Sequence, residues 1–224
     1  MWNNDYGDSP FKDYEIRKAT VEYGITSIGE SAFLGCRGMT ELTLPNSVTS
    51  IGNAAFFGCS SLTELILPNN VTSIGDSAFS GCSGMTELTL PNGVTSIADD
   101  AFHGCRGLTE LTLPNIVTSI GDGAFRGCRG LTKLTLPNSV TSIGESAFYL
   151  CSGLSKITSL AEIPPVCGRE VFDGVNKTNC KLIVPIVSVI AYKQAEVWNE
   201  FSNIRGFSGV EVTVAGKTRK IVVE

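Results

Sequence analysis

Histidine is almost absent from this sequence, and long hydrophobic runs are absent altogether. His103 is the single histidine among 224 residues, which removes most metal sites and most catalytic arrangements that need a histidine base. No apolar run approaches the ~18 residues that a membrane-spanning helix needs, so we expect no membrane insertion by this chain. Residues 1–20 have neither a basic start nor an apolar stretch and therefore do not resemble a signal peptide.

Charged residues are also sparse, since Asp, Glu, Lys and Arg make up 17% of the chain. The 22 acidic residues outnumber the 17 basic ones and give a net charge of -5, which argues against a nucleic-acid partner. Hydrophobic residues, in contrast, make up 42% of the sequence. That proportion is enough to build a sizeable core and excludes a disordered acidic tail.

An internal repeat of 23 residues dominates the sequence. A phenylalanine recurs at this spacing, and a cysteine follows each phenylalanine by three positions. These residues are Phe33, Phe56, Phe79, Phe102, Phe125, Phe148, Cys36, Cys59, Cys82, Cys105, Cys128 and Cys151. Because a unit this short cannot bury its apolar side chains alone, we expect the units to coil and stack, with each phenylalanine and cysteine in a shared core.

Each repeat changes conformation within its own length. The alternation of residues 64–67 predicts a short strand, which Pro68 ends because proline cannot donate to a ladder. Residues 71–74 predict a second short extended piece. Residues 76–79, following a glycine, predict the capped first turn of a short helical or 3-10 segment. In this interpretation the row Glu30, Asn53, Asp76, Asp99, Asp122 and Glu145 provides the caps.

The repeat pattern L-x-x-L-x-L-P-x-x-V-T-x-I-G-x-x-A-F-x-x-C resembles the BspA-like, or Treponema pallidum-type, bacterial leucine-rich repeat family. The resemblance implies a leucine-rich repeat solenoid, an α/β repeat of mostly short β-strands with short helical or 3-10 turns. It also implies a C-terminal strand-helix cap. Repetition covers residues 16–160, about two thirds of the chain.

The segments at the two ends are atypical, as expected of capping units that cover an apolar cross-section. Residues 1–15 resemble only a remnant of an N-terminal cap, which favours a trimmed portion of a longer protein. Residues 161–205 resemble the family's closing motif, with a last strand and a helix from Ser188 to about Phe201. Within it, Ala191, Ala195 and Trp198 recur at helical spacing and are expected over the final repeat. Tyr192, Trp198 and Phe201 are expected to belong to the cap. Residues 206–224 predict a β-hairpin tail or the start of a further module.

The cysteines of the repeat are expected to be free and buried. Stacked Cβ vectors would run parallel rather than face each other, so a disulfide would strain both repeats. Cys167 and Cys180 lie outside the repeat, and their pairing within the cap stays open. Because the sequence has no C-x-x-C pair and His103 is its single histidine, it predicts no metal site and no cofactor.

Nothing in the sequence forms a recognisable catalytic arrangement. His103 occupies a variable position of the repeat, with Asp99 and Asp100 nearby. A hydrolytic triad would also need an activated serine and an oxyanion site, which the repeat does not supply. We therefore interpret His103 as a surface residue and the chain as a non-enzyme.

Two sets of exposed positions are candidates for binding. One is a stripe of acids at an equivalent strand position, Glu41, Glu64, Glu87 and Glu110, preceded by Lys18 and followed by Lys133 and Lys156. It is either a surface for a basic peptide or a cation, or a solvated strand face that discourages aggregation. The other set consists of the variable positions Phe57, Arg126, Arg129 and Tyr149.

The family resemblance implies an extracellular or cell-surface protein that mediates adhesion. We therefore expect a non-enzymatic module that binds protein or glycan on a host or neighbouring cell. The alternative is a structural spacer that presents another domain and has no ligand of its own.

Overall fold

The computed structural model describes residues 9–11, 14–214 and 217–223, with side chains described up to Ser208. Most of the predicted N-terminal cap remnant, including residues 1–8, lies outside the described residues, and so does the predicted hairpin turn at residues 215–216. Within the described part, the chain winds into a stack of parallel rungs.

Each rung contributes one longer strand, here called the A strand. The A strands are β1 (Lys18–Thr20), β3 (Glu41–Thr43), β5 (Glu64–Ile66), β7 (Glu87–Thr89), β9 (Glu110–Thr112), β11 (Lys133–Leu136), β13 (Lys156–Ser159) and β15 (Lys181–Pro185). Where they pair, the pairing is parallel and keeps equivalent repeat positions opposite each other, as with Glu64 and Glu87. The described strands β3 and β5, and β7 and β9, are neighbours without ladder pairing. Leu65 and Leu88 therefore point into the core while the flanking residues face water.

A second, shorter strand in each rung, the B strand, follows the proline turn. The B strands are β2 (Ser27–Ile28), β4 (Ser50–Ile51), β6 (Ser73–Ile74), β8 (Ser96–Ile97), β10 (Ser119–Ile120), β12 (Ser142–Ile143) and β14 (Val166–Cys167). Apart from β6 and β8, neighbouring B strands pair in parallel, and β2, β4, β6, β8, β10 and β12 each bury their isoleucine. The leucine-rich repeat solenoid implied by the sequence pattern is the fold that this chain adopts.

The repeating phenylalanines form a continuous stack through the core. From Phe33 to Phe172, neighbouring ring centroids lie 5.2 to 5.6 Å apart, and neighbouring planes differ by 5° to 9°. Phe11 extends the stack at the other end, 5.2 Å from Phe33. Because successive rings are nearly parallel, the rungs change direction little from one to the next.

The cysteine column lies beside the phenylalanine stack, and all eight cysteines of the chain are free. Each thiol from the second rung on donates a hydrogen bond to the backbone carbonyl of the phenylalanine one rung earlier, as Cys82 does to Phe56 at 3.3 Å. The same bond recurs at the equivalent positions, at 3.1 to 3.4 Å. Burial raises the pKa of the Cys82 thiol to about 12, so this thiol is protonated at neutral pH.

The short helical segment predicted after each glycine is absent from the described repeats, where a run of turns takes its place. Ser77 has a φ of 54° and Gly81 a φ of 76°, both in the left-handed region, which interrupts a right-handed helix. The backbone amides of Ser77 and Phe79 donate to Asp99 and Ala101 of the next rung at 2.8 Å. The turns therefore extend the ladder between rungs and form no hydrogen bonds within a helix.

The row of Asp, Asn and Glu residues consequently does not cap helices as predicted. The Oδ1 of Asn53 accepts a hydrogen bond from the backbone amide of Asp76 in the next rung at 2.9 Å. In the same way, the Oδ1 of Asp99 accepts from the backbone amide of Asp122 at 2.8 Å, and the Oδ1 of Asp122 accepts from that of Glu145 at 2.7 Å. These side chains tie adjacent rungs together.

One rung departs from this ladder at Ala98, where the other rungs have glycine. An added Cβ at the equivalent Gly75 or Gly121 would lie 2.7 or 2.8 Å from the backbone nitrogen of the preceding rung, too close for a carbon atom. Ala98 does carry a Cβ. Among the described residues, its amide lacks the bond to Ile74 that Gly75 makes to Ile51, and β6 and β8 are not paired. Ala98 therefore locally separates the two halves of the B-strand ladder.

The C-terminal cap is built from a strand, short helical pieces and one long strand. Val189–Gln194 forms α1, between 3-10 helices at Ile186–Ser188 and Trp198–Glu200. The predicted single helix to Phe201 is too long, because the chain turns at Val197, whose φ is 68°. Asn203–Val214 forms β16, which pairs in parallel with β15 and antiparallel with β17 (Lys217–Val223).

The cap covers the last rung with aromatic side chains. Tyr192, Trp198 and Phe201 are buried, whereas Ala191 is exposed and does not join the predicted stripe. The Trp198 indole Nε1 donates to the backbone carbonyl of Pro165 at 2.8 Å, and the Tyr192 hydroxyl donates to the carbonyl of Ala161 at 3.0 Å. Both polar groups are satisfied, so the aromatic side chains can be buried at little cost.

Candidate binding surface

Each A strand begins with a charged residue, and the stacking of the rungs places these residues in a single row, here called the charged column. It consists of Lys18, Glu41, Glu64, Glu87, Glu110, Lys133, Lys156 and Lys181. Strand alternation places these side chains on the outer side of the sheet, opposite the buried leucines. The column is therefore divided along the rod into an acidic block and a basic block.

Ion pairs occupy both borders of the acidic block. The Lys18 Nζ lies 2.6 Å from the Glu41 Oε2, and the Lys133 Nζ lies 3.3 Å from the Glu110 Oε2. The hydrogen bond to Glu41, together with its charge, raises the pKa of Lys18. Within the described part of the chain, Glu64 and Glu87 have no ion-pair partner, so their two charges are available to a ligand.

A groove of about 630 Å³ crosses the acidic block between β7 and β9. Its lining includes Glu87, Glu110, Thr89, Asn92 and Asn115. The two strands are neighbours without ladder pairing, as are β3 and β5. Sequence reasoning missed this groove.

The variable positions do not form one cluster. The Arg126 guanidinium lies over the Tyr149 ring, 5.0 Å from its centroid, a favourable cation-π geometry. Phe57 has 44% of its surface exposed but belongs to a rung three repeats earlier. Arg129 is exposed but occupies a different position of the repeat, three residues after Arg126. Only Arg126 and Tyr149 are brought together.

His103 and its acidic neighbours do not make a catalytic pair. The His103 Nδ1 lies 3.9 Å from the Asp100 Oδ1, and both side chains are about half exposed, at 45% and 48%. That distance is beyond a hydrogen bond. The backbone amide of Asp100 instead connects two rungs, because it donates a hydrogen bond to the carbonyl of Asp122 at 2.8 Å.

Two features of the C-terminal region went unrecognised in the sequence. Lys181 continues the charged column because β15 pairs in register with β13, although the cap lies outside the strict repeat. An apolar groove of about 1030 Å³ lies beside the cap and includes the exposed side chains of Ile163, Val166, Ile186 and Val187. The consecutive apolar residues Ile186 and Val187, directly after Pro185, were the sequence signal for it.

Neither a metal cluster nor a membrane helix is found in the described part of the chain. No group of three or more His, Cys, Asp or Glu residues there is arranged to hold a metal ion. None of the described helices combines the length and hydrophobicity that crossing a bilayer requires.

The stacked A strands, the B strands and the phenylalanine column define a bacterial leucine-rich repeat protein of the 23-residue type. The BspA type leucine rich repeat region, in six copies, matches residues 4–115 and 95–186, and the chain belongs to this family. Among proteins with curated functions, none matches the sequence significantly.

Solved structures of other bacterial leucine-rich repeat proteins share the fold. The Treponema pallidum leucine rich repeat protein is 32% identical with a TM-score of 0.65, over 70% of this chain and 76% of that one. A leucine rich cell surface protein from Faecalibacterium prausnitzii is 30% identical with a TM-score of 0.67, over 84% and 62%. A leucine-rich repeat protein from Bacteroides ovatus is 28% identical with a TM-score of 0.54, over 74% and 48%. The chain thus spans between half and three quarters of these proteins.

Proposed function

We propose that this chain is a non-enzymatic module of a bacterial surface protein that binds protein or glycan through its charged column. The observation that carries the proposal is the position of Glu41, Glu64, Glu87 and Glu110, each the exposed first residue of its A strand. Membership of the family supports a repeat protein of this kind, and the Faecalibacterium relative is described as a cell surface protein.

The geometry of the column suits a multivalent partner. Adjacent A strands repeat the same carboxylate about every 4.8 Å, and the rigid core holds them in line. The unpaired carboxylates of Glu64 and Glu87 attract cationic groups, so the favoured partner is a protein with a row of basic residues. Attachment through several weak contacts gains strength by avidity.

Binding to an array of glycans and matrix proteins tests this proposal. The purified chain is compared with a column variant in which all four glutamates are changed to glutamine. A matched control changes four exposed acids elsewhere by the same charge, namely Glu145, Glu162, Glu170 and Glu196. We expect the wild type and the control to bind the same spots and the column variant to lose them. Equal binding by all three proteins would reject the column as the site.

A spacer function is the second candidate, and the B-strand face favours it. This face repeats Thr49, Thr72, Thr118 and Thr141 at equivalent positions, and each hydroxyl donates to the carbonyl of the threonine one rung earlier. Such a surface varies little along the rod. An array with no bound spots for the wild type would favour the spacer.

A further inference from the structure

We propose that the charged column docks against the same column of a second copy of this chain, in antiparallel orientation. The two-fold axis would pass between Glu110 and Lys133, at the border of the acidic and basic blocks. The inference rests on the proposed use of the A-strand face for binding and names the partner of that face.

Charge complementarity between the two blocks carries the inference. Under the two-fold operation, Glu110 faces Lys133 of the second copy, Glu87 faces Lys156, and Glu64 faces Lys181. Each pair forms twice, because the interface of a two-fold dimer is self-complementary. The described column therefore supplies three kinds of opposite-charge pair with no like-charge pair among them. Parallel docking in register would place glutamate on glutamate and lysine on lysine, which is repulsive.

Regular spacing lets all the pairs form together. Equivalent positions lie opposite each other from β9 through β15 and also between β5 and β7, while β7 and β9 are neighbours without ladder pairing. Neighbouring phenylalanine planes differ by 9° at most between Phe33 and Phe172, so the rungs remain nearly parallel. Two such rows can therefore meet over several rungs without losing alignment.

The size of the face predicts weak association. The paired part of the column, from Glu64 to Lys181, covers five rung steps and spans ~24 Å. A strip ~15 Å wide would bury ~360 Å² per partner, below the ~800 Å² of a standard interface. Exposed ion pairs contribute little each and are screened by salt. The contact is therefore suited to chains held at high local concentration, such as neighbouring molecules on one surface.

Sedimentation equilibrium at low and high salt measures the association directly. We expect the wild-type chain to dimerise at low ionic strength and to become monomeric in about 0.5 M NaCl. A chain that stays monomeric at low salt up to about 1 mM protein, or that associates equally at both salt concentrations, would overturn the proposal.

Two charge-swapped variants with the same composition test the antiparallel register. In the E64K/K181E variant the two changed residues face each other across the axis, so opposite charges are restored in every pair. In the E64K/K156E variant the changed residues face Lys181 and Glu87, and four like-charge contacts appear. We expect E64K/K181E to dimerise within about threefold of the wild type and E64K/K156E to dimerise at least tenfold more weakly.

The opposite order of the two variants would contradict the antiparallel arrangement. A parallel arrangement staggered by four rungs would place Glu64 against Lys156, and it would restore E64K/K156E instead. Both variants keep opposite charges next to each other along the column, so their folded rods are matched controls; a melting temperature within a few degrees of the wild type verifies this.

Sedimentation reports self-association and the array reports binding to other molecules, so the two proposals can fail independently. Loss of array binding by the column variant, together with a monomeric wild type at low salt, would uphold the proposed function and reject the second copy as partner. Salt-dependent dimers that follow the two swaps would support the inference whatever the array shows.

Discussion

Trp198 packs obliquely on Phe172, with ring centroids 5.3 Å apart and an angle of 57° between the planes. The parallel stack of phenylalanine rings ends at this contact, because Trp198 turns its ring across the last plane. The side chain is fully buried. It therefore covers the apolar cross-section that an open solenoid would otherwise expose.

Replacing Trp198 by alanine should lower the free energy of unfolding by about 3 to 5 kcal/mol, since a large buried aromatic side chain leaves a cavity. Denaturant unfolding measures the loss. Phe57→Ala is the matched control, because that aromatic side chain is 44% exposed and its removal should cost well under half as much. Equal losses in the two variants would show that Trp198 does not seal the stack.

Alkylation of the thiols tests the cysteine column. The six column thiols, Cys36, Cys59, Cys82, Cys105, Cys128 and Cys151, are free and buried. They should resist the reagent in the native protein and react after denaturation. Protein prepared without reductant should yield at least six free thiols in denaturant. Recovery of three disulfides instead would exclude the stacked column.

Much of the core could be predicted from the sequence because the repeat is strict. Phe33, Cys36 and their equivalents recur at one spacing, and a solenoid brings equivalent positions together whatever the detailed path of the chain. The same logic correctly aligned Glu64 with Glu87. Local patterns were less informative where contacts between rungs decide the conformation. Ser77 was assigned to a helical turn, yet its amide bonds to the next rung.

Departures from the repeat were harder to interpret than the repeat itself. Ala98 differs from glycine by one methyl group, and its effect depends on the close approach of the preceding rung, which no local pattern reveals. Lys181 belongs to the charged column although it follows an irregular cap segment. Register across that segment is set by strand pairing and not by spacing along the chain.

Gly121→Ala should create a second break in the B-strand ladder. The added Cβ would lie 2.8 Å from the backbone nitrogen of Asp99, so the rungs must separate, at a cost of about 1 to 3 kcal/mol. Hydrogen exchange should show faster exchange of the amide of residue 121, which donates to Ile97 at 2.8 Å in the wild type.

The reverse change, Ala98→Gly, is the control for this interpretation. It should slow exchange of the amide at residue 98, because the bond to Ile74 can then form. Unchanged protection in both variants would show that the methyl group of Ala98 does not cause the break.

Alkaline pH should destabilise the fold through the buried cysteine thiols. Burial raises the pKa of the Cys82 and Cys167 thiols to about 12 and that of Cys180 to about 11. Above the unfolded thiol pKa of about 8.5, the unfolded chain loses protons that the folded chain keeps. Stability should therefore fall as pH rises from 9 towards the folded pKa values, by about 1.4 kcal/mol per pH unit for each such thiol.

Melting temperatures measured between pH 7 and about 10.5 follow this loss. In a Cys82→Ala/Cys180→Ala variant the melting temperature should fall less steeply with pH than in the wild type, since two of the thiols with raised pKa are missing. An identical pH slope in the two proteins would contradict burial as the cause.

The affinity of a graded series of column variants tests most directly whether the four glutamates act as one binding surface. Glu87→Gln alone should weaken attachment to an array-identified partner only slightly, because neighbouring rungs repeat the same carboxylate. Replacing Glu41, Glu64, Glu87 and Glu110 together should weaken it by far more than fourfold, since the contact is multivalent. Attachment that is unchanged in the fourfold variant would contradict binding through the charged column.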